Sequence, residues 1–285
     1  MSGEAIIEIR NLTKRYGSTV ALDNVSLKIG KGITGLVGPN GAGKTTLINI
    51  ITGLINADGG EVKIGIKGDF RRHIGVVRDR IAFPPELEVR YFLERIAELY
   101  RVSSNRVHDV IKLVGLEEVA DKRIGALSLG YKKRVGIAQA VLHEPVMVIA
   151  DEPFAQLDPI IKVEIRDIIA KLSREHGINF FISSHDIEDL ERIADQVVLI
   201  NRGRVVRIIK RGGIVSVVVE SDNNDELVTY LIQKNLRARM DGLRVRVETD
   251  NLKDLLRILG EYNGNIYSIN MSSIEGVMKD EFERT

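Results

Sequence analysis

The stretch Gly38–Thr45, GPNGAGKT, constrains this chain more than any other. It follows an apolar run, ITGLV at 33–37, and opens a helical pattern from Thr45 to Leu54. Its spacing is that of G-x-x-x-x-G-K-[ST], a motif that needs a strand before it and a helix after it. Only glycine lets the backbone turn tightly enough for successive N–H groups to surround phosphate oxygens, and the helix N-terminus behind them adds a favourable dipole. Gly38, Pro39, Asn40, Gly41, Ala42 and Gly43 form the expected cradle, with Thr46 beside it. Lys44 brings a point charge to the β- and γ-phosphates, and Thr45 an oxygen for Mg2+. The stretch reads as a nucleoside triphosphate site.

Two further pieces supply chemistry. VMVIADEP at 146–153 is an apolar strand ending in Asp151, whose carboxylate at the sheet's C-terminal edge can hold Mg2+ through water. Glu152 follows directly and can orient and polarise an attacking water, a general-base role. INFFISSHDIEDL at 178–190 places His185 just past another buried strand. A neutral imidazole both accepts and donates, so it can link a γ-phosphate, a water and a carboxylate.

Short strands are expected at AIIEI, VSLKI, EVKIG and HIGVV within residues 5–77. From Glu88 to about Leu116 the apolar spacing turns helical through Val89, Phe92, Leu93, Ile96 and Ala97, marking an insert. Strand and helix then alternate: VMVIA, a helix from Pro159 to about His176, INFFIS, a helix from Asp186 to Ala194, and QVVLI. Such alternation implies an α/β fold with a mainly parallel sheet covered on both faces. All six prolines lie at or before Pro159, and Gly212-Gly213 marks a break. Beyond it β-α-β-β-α-β follows, a small α+β ferredoxin-like module over 212–285 without a cluster of catalytic residue types.

Composition excludes several classes. A formal net charge of +1 argues against a dedicated nucleic-acid binder. The absence of cysteine removes any disulfide framework or thiolate site, which fits a reducing compartment. Apolar runs such as VMVIA fall far short of the roughly 18 residues a membrane helix needs, so any membrane link goes through a partner. No Asn-Lys-x-Asp stretch is present to read a guanine base.

In motif order the chain resembles the ATP-binding subunits of ABC transporters from residue 5 to about 210. The motifs are Tyr16 in KRYG, the phosphate loop, LSLGYKKRVGIAQAVLHEP, the Asp151-Glu152 pair, Asp158 in AQLDP, and His185. In that family a signature of LSGGQ type precedes the acidic strand, and Ser128 and Gly130 match its serine and second glycine. The resemblance implies an ATP-binding domain over 1–211 with a helical subdomain at about 85–140, P-loop NTPase in fold and with a β-subdomain. It also implies an ATPase using ATP and Mg2+, with Tyr16 on the adenine. Each ATP would lie between one subunit's phosphate loop and the signature of a second subunit, identical or different. A separate integral membrane permease would receive the motion, leaving this chain cytoplasmic and peripheral at the cytoplasmic face of the cell membrane.

Several positions depart from the family pattern. Asp79, in HIGVVRDR, stands where a glutamine is usual and becomes a candidate Mg2+ ligand; a one-residue slip would put Arg78 or Arg80 there. Leu129 and Tyr131 replace a signature glycine and glutamine, while Phe154 and Gln156 alter the stretch before Asp158. The run KKR at 132–134 reads as a solvated helix face, or else as an attraction for the partner's triphosphate. The LSxGY signature and the tail YSINMSSIEGVMKDEF resemble exporter ATPases of the daunorubicin-resistance kind, which favours export. The alternatives are a soluble ABC-type mechanochemical ATPase that remodels a protein or nucleic-acid complex, and a non-hydrolytic scaffold gated by ATP.

Overall fold

The computed structural model describes residues 5–66, 68–80, 82–210, 215–249 and 252–271. They fall into two compact units that part between Ile208 and Ile209. The first opens with strands β1 (Ile7–Tyr16), β2 (Thr19–Ile29) and β3 (Ile33–Val37), then helix α1 (Lys44–Ile51), β4 (Gly59–Ile64) and β5 (Ile74–Val77). Helices α2 (Val89–Tyr100), α3 (Ser104–Leu113) and α4 (Leu129–Val141) come next. It closes with β6 (Met147–Asp151), α5 (Pro159–His176), β7 (Asn179–Ser184), α6 (Glu188–Glu191), β8 (Gln196–Asn201) and most of β9 (Arg204–Lys210).

Six strands form the central sheet in the order β5-β6-β7-β3-β8-β9, and every pair from β5 to β8 is parallel. All residues of β3 and β6 are buried, as expected of strands covered on both faces, which is why they read as unbroken apolar runs. The register matters for function. Val37 lies beside Ser184, and Asp151 beside Ser183, so β3, β6 and β7 end together. The residues that follow them, Gly38, Glu152 and His185, therefore gather at one edge.

A three-stranded antiparallel sheet, β2-β1-β4, covers one side. Ile7, Ile9, Leu12, Leu22 and Leu27 from it pack with Leu47 and Ile48 of α1 and with Leu36, Ile149, Phe181 and Val198 of the central sheet. The strands are longer than the sequence pattern suggests, at 10 and 11 residues for β1 and β2. Register shifts around Leu12 and Lys14 absorb the extra residues and interrupt the alternation.

The helical insert is not continuous. Arg101 takes a left-handed conformation, φ 59°, and closes α2 after its apolar face has buried Val89, Phe92, Leu93 and Ala97. Farther on, α4 runs so close to β5 that a Cβ on Gly75 would meet the Ala140 carbonyl oxygen at 2.1 Å. The helix expected over 186–194 shrinks to α6. Asp186 accepts the Glu188 N–H at 3.0 Å, and the N–H groups of Leu190 and Ile193 bond carbonyls three residues back, at 2.9 and 3.0 Å. These three-back bonds stand beside four-back ones from Glu191 to Ile187 and from Ala194 to Leu190, at 2.9 and 2.8 Å, so regular helix is confined to one turn. Strand β9 goes beyond the alternation read to Ile200; Arg202 and Gly203, at φ 45° and 77°, supply the hairpin turn that returns the chain.

The second unit holds β10 (Val215–Ser221), α7 (Asn224–Gln233), β11 (Arg237–Asp241), β12 (Arg244–Thr249), α8 (Leu252–Gly260) and β13 (Ile266–Met271). Its sheet runs β11-β12-β10-β13 with antiparallel pairs throughout, the ferredoxin-like order. Val217, Val219, Val245 and Val247 form its core with Leu227, Leu231, Leu255 and Ile258 of the two helices. The Arg211–Gly213 connector and the tail from Ser272 onward lie outside the described residues. Among the described residues no helix is long and apolar enough to cross a membrane.

Candidate active site

The phosphate loop joins β3 to α1. Gly41 and Gly43 hold φ of 81° and 103°, and the Lys44 ammonium folds back to donate to the carbonyls of Gly38 (2.7 Å) and Pro39 (3.2 Å). Leu47 is the first residue of the helix whose N–H reaches a carbonyl behind it, that of Gly43 at 2.9 Å. The N–H groups of Lys44, Thr45 and Thr46 are therefore left for a ligand. Pro39, Asn40, Gly41 and Thr45 are exposed, and Ala42 is buried behind them. Gly43 has no room for a side chain: a Cβ there would stand 2.5 Å from the Ala21 carbonyl oxygen in a backbone region side chains avoid. Gly43→Ala should cost at least ~2 kcal/mol and lower the melting temperature by roughly 5 °C, measured by thermal melting. An unchanged melt would mean that the loop is not held in this form.

Glu152 sits at the centre of the acidic group. One carboxylate oxygen lies 3.3 Å from the Lys44 ammonium, and the other accepts from His185 Nδ1–H at 2.8 Å. The Asp151 carboxylate is buried and accepts the Ser183 hydroxyl at 2.6 Å, while the same hydroxyl accepts the Glu152 N–H at 3.0 Å. One serine thus fixes two neighbouring acids. The structure brings Lys44, Asp151, Glu152 and His185 together, and Nε2 of His185 has no hydrogen bond among the described residues.

The remaining candidates stand apart. Ser128 is exposed and caps α4, its hydroxyl 3.5 Å from the Tyr131 N–H. Asp158 is exposed at the head of α5, and Tyr16 is half-exposed at the end of β1 with the Lys14 ammonium 5.6 Å from its ring centre. Among the described residues no hydrogen bond or ion pair joins Ser128, Asp158 or Tyr16 to the loop at 38–45. Asp79 is half-exposed, and its carboxylate faces Lys133 at 3.9 Å. Arg78, the other possible occupant of that register, donates to Asn49 at 2.7 Å.

A sequence profile of the family described as ABC transporter matches residues 22–155. An uncharacterized ABC transporter ATP-binding protein of Bacillus subtilis (strain 168) is 31% identical over 293 residues, covering 98% of this chain and 94% of that protein. The chain belongs to the ABC transporter ATP-binding proteins. The bacitracin transport ATP-binding protein of Bacillus licheniformis is 37% identical over 209 residues, 70% of this chain and 68% of its own. Among solved structures, a dimeric ATP-binding cassette bound to ADP and Pi after hydrolysis superposes with a TM-score of 0.63 at 29% identity, over 72% of this chain and 98% of that one. As a member of this family the chain is a nucleotide-binding ATPase with the ABC cassette fold.

In this ABC ATP-binding protein two residues of the site escape the sequence reading. Ser183 passes as the end of a strand, although it holds both acids. Within the run at 132–134, read as a solvated face, Lys133 is only 2% exposed, and its ammonium donates to the carbonyls of Asp79 (3.1 Å) and Glu152 (3.0 Å). Arg134 is engaged as well, with Glu164 and with the Tyr131 ring, 5.5 Å away. Lys133 and Arg134 are thus engaged within their own chain.

Proposed function

We propose that this ATP-binding protein holds MgATP between its own phosphate loop and the Ser128 segment of a second subunit. Hydrolysis there drives export through a separate membrane permease. The carrying observation is Glu152, poised between Lys44 and His185 at the edge where three parallel strands end. There it can orient a water for in-line attack. The water oxygen forms a bond to the γ-phosphorus, the bond to the β-phosphate's bridging oxygen breaks, and the water's proton passes to Glu152. Lys44 and the amides of 44–46 steady the charge on the phosphates, and Nε2 of His185 reaches for the γ-phosphate.

The residues fit a Mg2+ ion that arrives with the nucleotide. No cluster of three His, Cys, Asp or Glu side chains suited to a metal exists among the described residues, so the protein alone makes no cage. Thr45 and Asp151 would hold the ion, Asp151 through water, and Asp79 is a third candidate. Such an ion draws charge from the β- and γ-phosphate oxygens.

Ser128 and the N–H groups of Leu129 and Gly130 form a second anion site, since the first helical bond of α4 is made only by Lys132, at 3.0 Å. One chain's phosphate loop already covers one side of a nucleotide, so this site suits a triphosphate held by another subunit. Tyr16 supplies a face for the adenine, and Asp158 stands where the two subunits would meet. The transport names carried by the relatives support transport over remodelling of a soluble complex. The signature variant supports export, and work at the cytoplasmic membrane face follows from that role.

Mixing two inactive variants tests the shared site with a second copy of this chain. Ser128→Arg and Lys44→Met should each lack turnover alone. Mixed in equal amounts they should regain about a quarter of wild-type activity, because half of the dimers then carry one intact site of two. A mixture that stays at background would count against the head-to-tail arrangement.

A further inference from the structure

Helix α4 carries a second function besides presenting Ser128. Lys133, one turn on, is buried, and a buried ammonium is costly unless its donors are matched. Here they are matched by the main-chain carbonyls of Asp79 (3.1 Å) and Glu152 (3.0 Å), with the Asp79 carboxylate 3.9 Å away. Burial pushes the Lys133 pKa down, and the charges of Asp79, Glu152 and Asp151 oppose that shift. An apolar side chain would fill the space without this cost. What the lysine adds is a link between two loops.

Those loops leave the C-terminal ends of β5 and β6. The two strands pair as far as Val77 and Ala150, and beyond that point the Lys133 ammonium bridges them. Glu152 has particular use for such a bridge. Its backbone is left-handed, φ 48°, a region that side-chain-bearing residues rarely adopt. The Glu152 peptide is pinned by the Ser183 hydroxyl on its N–H and by Lys133 on its carbonyl, which also accepts the Ala155 N–H at 3.2 Å. A rotation of that peptide would swing the carboxylate out from between Lys44 and His185.

We infer that Lys133 is a positioning residue for hydrolysis, fixing the Glu152 backbone and tying its setting to the loop that carries Asp79. The inference rests on the proposed role of Glu152 toward water. Lys133 touches neither the phosphate loop nor Lys44 among the described contacts, so nucleotide binding should be spared.

The test compares Lys133→Met, which fills the space without donors, with Lys133→Gln, which keeps one donor group, in the full chain. Lys133→Met should lower kcat about 10²-fold, the size expected when a catalytic group is displaced by ~1 Å. KM for ATP and the affinity for a fluorescent ATP analogue should stay within about threefold of wild type. Lys133→Gln should recover part of the lost kcat. If Lys133→Met does not fold, Lys133→Gln must show the same split between kcat and KM in milder form. Wild-type kcat in Lys133→Met, or a joint loss of kcat and affinity that Gln does not restore, overturns the inference. Glu152→Gln separates the two readings. If that variant is dead while Lys133→Met is normal, only the positioning role falls; if it keeps wild-type turnover, the hydrolytic reading falls as well.

Discussion

Glu152→Gln is expected to keep ATP bound and to turn over about 10²–10⁴-fold more slowly, the range that general-base catalysis contributes. The substitution preserves the size of the side chain, so the backbone held by Ser183 and Lys133 need not move. It removes the two properties the chemistry uses. An amide cannot take the water's proton, and it carries no charge to pair with the Lys44 ammonium, now 3.3 Å away. Losing that ion pair frees the lysine for the phosphates, so ATP affinity should hold or rise while hydrolysis stops. A nucleotide that bridges two subunits and is not consumed holds them together. Light scattering after gel filtration should therefore find dimers of Glu152→Gln with MgATP and monomers with ADP. A monomer under both conditions would overturn the shared site, and wild-type turnover would overturn the role of Glu152.

The parts of this site that could be read directly are those whose chemistry is local in sequence. GPNGAGKT states its strand, turn and helix within a dozen residues, and Asp151-Glu152 and His185 each close a buried strand. The ferredoxin-like unit is legible for a similar reason, since β12, RVRVET, alternates and its helices follow the 3.6-residue period. Lys133 is harder to read, because three cations in a row look solvated. Helical geometry argues otherwise: successive residues point about 100° apart, so not all three can share one face. Gly130, Lys133, Ile137 and Ala140 follow the i, i+3, i+7, i+10 spacing of the buried stripe of α4. Ser183 offered no comparable signal, because its role depends on the register that places it beside Asp151 across two strands. The helix expected over 186–194 failed through a side chain, with Asp186 capping a turn where the apolar period suggested continuation.

Lys44→Met should fail one step earlier than Glu152→Gln, and the contrast is informative. The lysine stem is buried, and its ammonium holds the Gly38 and Pro39 carbonyls at 2.7 and 3.2 Å. Methionine can fill the space of the stem, so the fold should persist and the melting temperature stay close to wild type. The charge is lost, and with it hydrogen bonds to phosphate worth roughly 1.5–3 kcal/mol each. The Glu152 carboxylate also loses its nearest cation and then repels the γ-phosphate instead of standing in balance with it. Both effects act on binding, so ATP affinity should fall about 10²-fold or more. Turnover should drop to background at any accessible ATP concentration. Calorimetric titration distinguishes the two dead variants: Glu152→Gln binds ATP without consuming it, whereas Lys44→Met scarcely binds it. A Lys44→Met protein with wild-type affinity would place the triphosphate elsewhere and remove the basis for pairing Lys44 with Glu152 in one site.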